Sequence, residues 1–329
     1  MRRLLALVLA TSLCPPALAA DIRPVEITAR AIEAFAVGSS QSRFGGLDFV
    51  GGFSFRASDR RLAGVSGFRF REGGGSRFLA VTDTGWWFEG RILRDGEGRP
   101  VGMEEARIAP ILDPQGQAYR SKGRADAEGL ALDGSRVLVS FEQNHRIEAF
   151  DAAEPLTALP TPVAQPIPRH ELRSNAGLET VAVAPDGRAI TVAEQSIDKE
   201  GNLFAALLGP AGGLFTVKRQ PPWHATDGAF LPGGDLLLLE RRYEGFGRLG
   251  MRLRRIAGEA IRVGALVDGP VIMEADLGHE IDNMEGLDVF VNEAGETILS
   301  IVSDDNASFF QRNLYLEFRL VEDEVEVSG

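Results

Sequence analysis

An acidic step recurs five times along this chain of 329 residues, and its spacing leaves few folds open. The step reads Val65-Ser66-Gly67, Ala127-Glu128-Gly129, Leu178-Glu179-Thr180, Thr226-Asp227-Gly228 and Met284-Glu285-Gly286. An apolar run follows each step and closes on a second acid: Asp83, Glu142, Glu194, Glu240 and Asp304. Nine of these ten positions are Asp or Glu, with Ser66 the exception. The first members recur at intervals of 62, 51, 48 and 58 residues, and the pairs span 17, 14, 15, 13 and 19 residues. A repeat of about 50 residues is the period of a β-propeller blade.

Each repeat carries the parts of a blade. A short apolar strand follows the first acid, then a Gly- or Asp-rich turn such as Pro185-Asp186-Gly187, then a second apolar run. Gly, Asn and Asp tolerate the positive φ of tight hairpins. The runs are continuously apolar rather than alternating, the pattern of strands buried on both faces. Third strands are expected near Phe88 to Leu93, Arg146 to Phe150, Leu203 to Leu208, Met251 to Ile256 and Leu314 to Leu320. Residues 154 to 168 hold five prolines and read as an edge loop. Residues 22 to 57 lack the acidic step but contain strand-like runs. The expectation is an all-β, single propeller of six blades: five clear repeats plus a composite blade closed by these N-terminal strands. A five-bladed ring with additional outer strands is the alternative.

The formal net charge is −12, from 35 basic and 47 acidic residues. Nucleic acid is excluded as a partner, because a polyanion requires a basic footprint. An acidic surface instead concentrates cations. Only Lys122, Lys199 and Lys218 among the basic residues are lysine, so any oxyanion is met mainly by arginine forks. At the N-terminus, Arg2 and Arg3 precede an apolar run from Leu4 to Leu13, and Ala17-Leu18-Ala19 supplies small residues at cleavage spacing. This reads as a secretory signal over residues 1–20, with the propeller over 21–329. The apolar run is too short to span a bilayer. The one Cys, Cys14, lies within that signal, so the mature chain has no disulfide. The expectation is a monomer in a bacterial periplasm or outside the cell, not inserted in a membrane once the signal is cleaved.

A hairpin places the start of its first strand beside the end of its second. Both acids of every repeat therefore gather at one rim of the ring, where they cannot all stay ionised without compensation. Calcium suits such a set, since it takes 6 to 8 oxygen ligands in flexible geometry. The candidate calcium ligands are Glu128, Glu179, Asp227, Glu285 and Asp304. Zinc is disfavoured: the mature chain has no Cys, and its four histidines are scattered. Loops after the second acids add Glu142-Gln143-Asn144-His145-Arg146 and Glu240-Arg241-Arg242. The candidate catalytic set is Glu142, His145, Arg146, Glu194, Glu240 and Arg241. In this set Arg146, Arg241 or the adjacent Arg242 would hold an oxyanion bidentately, and His145 or Glu142 would move a proton. His224 and His279 are further acid–base candidates, and Trp86 and Trp87 stand near the same rim. No G-x-S-x-G elbow, P-loop or dinucleotide fingerprint is present.

The stretches Leu62 to Phe68, Phe78 to Asp83, Asp126 to Leu130, Asn175 to Glu179, Leu239 to Arg242, Ile281 to Leu287 and Ser303 to Asn306 with Gln311-Arg312 resemble the phytase-like family, known for an esterase-like activity of phytase. The resemblance spans about Phe44 to Leu320. It implies a β-propeller and calcium-assisted hydrolysis of a small-molecule ester or phosphoester. Two other readings stand beside it: a calcium-dependent lactonase-like propeller, and a non-enzymatic binding or envelope scaffold with a structural ion.

Overall fold

The structure is a computed structural model that describes residues 21–321 apart from 246, 307 and 309. The expected signal at residues 1–20 lies outside the described residues. The five repeats fold as five blades of antiparallel strands. Their inner strands are Val65–Phe70, Ala127–Asp133, Leu178–Val183, His224–Phe230 and Asn283–Val291. Each pairs with the apolar run that follows it: Arg77–Thr82, Arg136–Phe141, Ala189–Ile197, Leu236–Tyr243 and Thr297–Asp304. Most residues of these ten strands are buried, as continuous apolar runs require. Turns such as Asp186-Gly187-Arg188 place glycine at positive φ, here +86°, where a side chain would be strained.

The ring has five blades, which corrects the expected count of six. The last repeat supplies three strands, ending with Asn313–Leu320. Strand Leu47–Ala57 pairs with Asn313–Leu320, and Ile27–Ile32 lies outside it. The N-terminal strands therefore complete blade five. A blade needs an outer layer before it can stack, and the C-terminal repeat lacks one of its own. In blade two the proline-rich stretch is more than a loop, because Thr161–Val163 forms the fourth strand.

A separate apolar cluster fills each of the five junctions. Leu79, Val81 and Trp87 of blade one meet Val137, Val139 and Phe141 of blade two. The closing junction is aromatic: Phe53 and Tyr315 of blade five stack on each other, and Tyr315 meets Phe68 of blade one. Such pairs contribute about 0.5–1.5 kcal/mol beyond the area they bury.

Arg69 blocks the axis of the ring. Its guanidinium pairs with the Asp227 carboxylate at 2.7 and 2.9 Å. It also donates to the carbonyls of Phe68, Val181, Gly228 and Leu287, on the inner strands of blades one, three, four and five. Both side chains are almost fully buried. The acidic rim is thus the mouth of a cup whose floor lies at Arg69.

Candidate active site

Every inner strand opens with the same irregularity. Pairing with the second strand shifts by one residue between Val65 and Gly67, Leu178 and Thr180, Ala225 and Asp227, and Met284 and Gly286, with an equivalent shift at Glu128. A bulge of this kind leaves one residue unpaired and re-aims its side chain. The bulged residues are Ser66, Glu128, Glu179, Thr226 and Glu285. One residue beyond the second-strand partners of Val65, Ala127, Leu178, Ala225 and Met284 stand Asp83, Glu142, Glu194, Arg241 and Asp304.

Blade four therefore departs from the sequence reading by one residue at both positions. Thr226 and Arg241 occupy the rim, while Asp227 and Glu240 do not. Side chains alternate faces along a strand, so a one-residue slip moves both acids off the rim. Asp227 goes to the axis, where its oxygens accept from Arg69 and from the Gly228 and Leu287 N–H groups. Glu240 goes to the flank of blade four and accepts from Arg252 and, bidentately, from Arg254 at 2.7–2.8 Å.

A third layer stands above these two, in the residues opposite the second-strand ends: Gly64, Asp126, Gly177, His224 and Asn283. Its glycines make room. A Cβ on Gly64 would lie 1.9 Å from an Asp83 oxygen, and one on Gly177 would lie 2.2 Å from the His145 ring.

The rim thus collects Asp83, Asp126, Glu128, Glu142, Glu179, Glu194, Glu285 and Asp304. Two cations pair with them. Arg241 donates to Glu285 at 2.7 Å, to Glu194 at 3.4 Å and to the Asn283 side chain. Lys122, on the short helix Lys122–Ala125, reaches Asp83 at 2.5 Å and Asp126 at 3.5 Å. His224 lies 3.5 Å from Glu194. Oxygens of Asp126, Glu128 and Glu142 all lie within 4.8 Å of one another, and so do those of Glu142, Glu179 and Glu194. Asp126 is 3% exposed, and its Oδ1 makes no hydrogen bond among the described residues, with the Lys122 ammonium 3.5 Å away.

Among the described residues, six of these eight carboxyls are raised above their ordinary values. Burial first, then the neighbouring carboxylates, push Glu128 and Glu179 well above the usual range. Burial likewise raises Glu142 and Asp304 to about 8, against the N–H groups of Gly177 and Asn306 that favour their charge. Glu285 rises to about 7 through burial, even with Arg241 beside it. Asp83 is also raised by burial, despite Lys122.

Several predicted residues sit elsewhere. Arg146 donates to Glu148 and to the Arg124 carbonyl, and its guanidinium lies 3.8 Å from the Phe141 ring centroid. It pins the connecting helix to blade two. His145 is buried against Gly177 just behind Glu142, and burial holds its pKa below the usual value. His279 packs on Phe35 and Phe44, and Trp87 packs on Phe150. Sequence reasoning missed Lys122, Asp126 and Thr226. Lys122 and Asp126 were findable as the charged flank of the second repeat, and Thr226 as the correct phase of the fourth.

Among solved structures, the chain is similar to an exo-1,5-α-L-arabinanase from a bovine ruminal metagenomic library, at 10% identity over 86% of this chain and 97% of that one, with a TM-score of 0.46. It is also similar to the PQQ-bound aldose sugar dehydrogenase of Streptomyces coelicolor (14% identity, 89% and 98% covered, TM-score 0.41). A gluconolactonase of Xanthomonas campestris gives 10% identity, 93% and 99% covered, and a TM-score of 0.39. Likeness at this level carries nothing about the reaction. No curated protein matches the sequence. The model of the phytase-like family, described as esterase-like activity of phytase, matches residues 60–307. With that match over most of its length, and with a propeller bearing one acidic rim, this chain belongs to the phytase-like family.

Proposed function

We propose that the rim is a cation-dependent hydrolytic site for ester or phosphoester bonds of small molecules. The observation that carries this reading is the convergence of eight carboxylates on one rim, three of which, Glu142, Glu285 and Asp304, are raised to about 7 to 8. A divalent cation fits this donor set. Every candidate ligand is an oxygen, and two three-acid groups converge with Glu142 common to both. Such a set suits calcium better than zinc. Asp126, Glu128, Glu142, Glu179 and Glu194 would hold the ion, with Glu285 and Asp304 on the far side of the ring. When bound, a divalent cation polarises an ester or phosphoryl oxygen and offsets the negative field.

The chain's own groups do the rest. Arg241 presents a guanidinium fork from the one blade without a rim acid, so an incoming oxyanion meets it opposite the carboxylates. Glu142, raised to about 8 by burial, would give up its proton to hold the cation, so acid–base work falls to a group outside the ion's ligands. His224, 3.5 Å from Glu194 at the same mouth, is placed to carry that proton. The family's esterase-like description supports the choice of bond. The signal-like sequence at residues 1–20 would carry such an enzyme out of the cytoplasm.

The test is a panel of p-nitrophenyl carboxylic esters, phosphomonoesters and lactones, assayed in calcium and in chelator. Calcium-dependent turnover of an ester or phosphoester is expected. Turnover of lactones alone would replace this reading with the lactonase one. No turnover in any class, with calcium still raising the melting temperature, would reduce the rim to a structural ion site.

A further inference from the structure

The flank of blade four carries positive groups that the rim chemistry does not use. Strand alternation turns Arg241 to the rim and Arg242 to the opposite face; likewise His224 faces Glu194 while Trp223, one residue earlier, belongs to the flank. On that flank the guanidinium carbons of Arg242 and Arg252 lie 4.8 and 4.7 Å from the Trp223 ring centroid. Arg252 is 5% exposed. Its Nε donates to Glu240, but its Nη2 is buried with no hydrogen-bond partner among the described residues.

Arg242 is less satisfied still. Its Nε is buried without a partner, and it makes no hydrogen bond or ion pair among the described residues. Arg219, in the connection that delivers Trp223, also has a buried Nε without a partner. The nearby acids are committed elsewhere. Glu240 accepts from Arg252 and Arg254, and Asp268 from Arg254 and Gln220. Asp276 lies within the field of Arg242 but accepts from the Gly278 N–H and contacts His279.

Buried guanidinium N–H groups without acceptors are costly, and an aromatic face does not accept their in-plane hydrogens. We propose that Trp223, Arg242 and Arg252 form an oxyanion subsite for a phosphate or carboxylate group, one residue away from the rim on both strands. Both donors are closed to solvent in this structure, so a bound oxyanion would accept from Arg252 Nη2 and Arg242 Nε by shifting the Trp223 ring that covers them. This subsite does not depend on the ester chemistry of the rim.

Trp223 is a built-in reporter. The experiment titrates the full-length protein with potassium phosphate, and separately with acetate, in chelator, against potassium chloride at matched ionic strength, following tryptophan emission. A saturable change beyond the chloride control is expected for at least one anion, and the tighter one names the group. Trp223→Phe should remove the signal. Arg242→Gln should weaken the midpoint about tenfold, as expected for losing one charge-assisted hydrogen bond. Arg252→Lys, which keeps a charge beside Glu240, should also weaken it. No saturable change with either anion, a signal that survives Trp223→Phe, or an unchanged midpoint in Arg242→Gln overturns the proposal. Arg242→Gln should leave the calcium-induced rise in melting temperature intact, so failure here is distinct from failure at the rim.

Discussion

Charge placement at single residues separates the two kinds of buried acid in this molecule. Asp227 and Glu142 both read as rim acids in the sequence, yet one is locked to a guanidinium and the other crowds against its own kind. Asp227→Ala leaves Arg69 as an uncompensated charge on the axis. It should cost about 3–5 kcal/mol in urea denaturation while the folded fraction keeps its calcium response. A lost calcium response at unchanged stability would instead return Asp227 to the rim. Glu142→Gln removes a repelling charge shared by both three-acid groups. In chelator its melting temperature should rise by about 2–4 °C, and most of the calcium-induced rise should vanish; a wild-type calcium response would remove Glu142 from the ion's ligands. The sequence hid this difference because Thr226-Asp227 and Glu240-Arg241 each set an acid beside the true rim position. The pair spacing of 13, shortest of the five, was the trace of that slip. Counting Thr226 and Arg241 restores 15, the spacing of blade three.

The bulge explains why glycine follows the bulged residue in three of the five inner strands, at Gly67, Gly129 and Gly286. A Cβ on Gly129 would stand 2.1 Å from the Glu179 carbonyl oxygen of the next blade, an atom of backbone that cannot rotate away. Gly129→Ala should therefore destabilise by about 1–3 kcal/mol. Gly233→Ala, in an open turn with no atom within 4 Å of the new Cβ, should be nearly neutral by the same measurement. Equal effects would mean that the blades do not meet at this step. Strand order within each blade was legible, because hairpin partners are neighbours in sequence and their apolar runs are continuous. The fate of residues 22–57 was not. Whether they add a blade or complete one depends on pairing between Phe55 and Asn313 at opposite ends of the chain, and no local pattern encodes it.

For the whole molecule the rim acts as a stored repulsion that pH releases. In an unfolded chain these carboxyls titrate near 4; in the fold Glu285, Glu142 and Asp304 titrate near 7 to 8. Between those values the folded state binds more protons than the unfolded one, so stability falls as pH rises. The protein in chelator should be most stable near pH 4–5 as far as these groups are concerned, and should lose that contribution by about pH 8. Calcium competes with those protons, so its effect on melting temperature should grow from pH 5 to pH 8. Melting curves across that range, with and without calcium, check both signs. A calcium effect that shrinks with pH would place the ion away from these acids.

The shared fifth blade also sets a clock on biogenesis. Strand Leu47–Ala57 is made early, and its partner Asn313–Leu320 follows only after blades one to four have been made. At about 5–20 residues per second the wait is roughly ten to fifty seconds, during which four blades can form in an open arc. Until that partner arrives, the Phe53 ring has no Tyr315 to stack on. The ring therefore closes last at this blade, and a chain cut before Asn313 keeps an open edge along Leu47–Ala57.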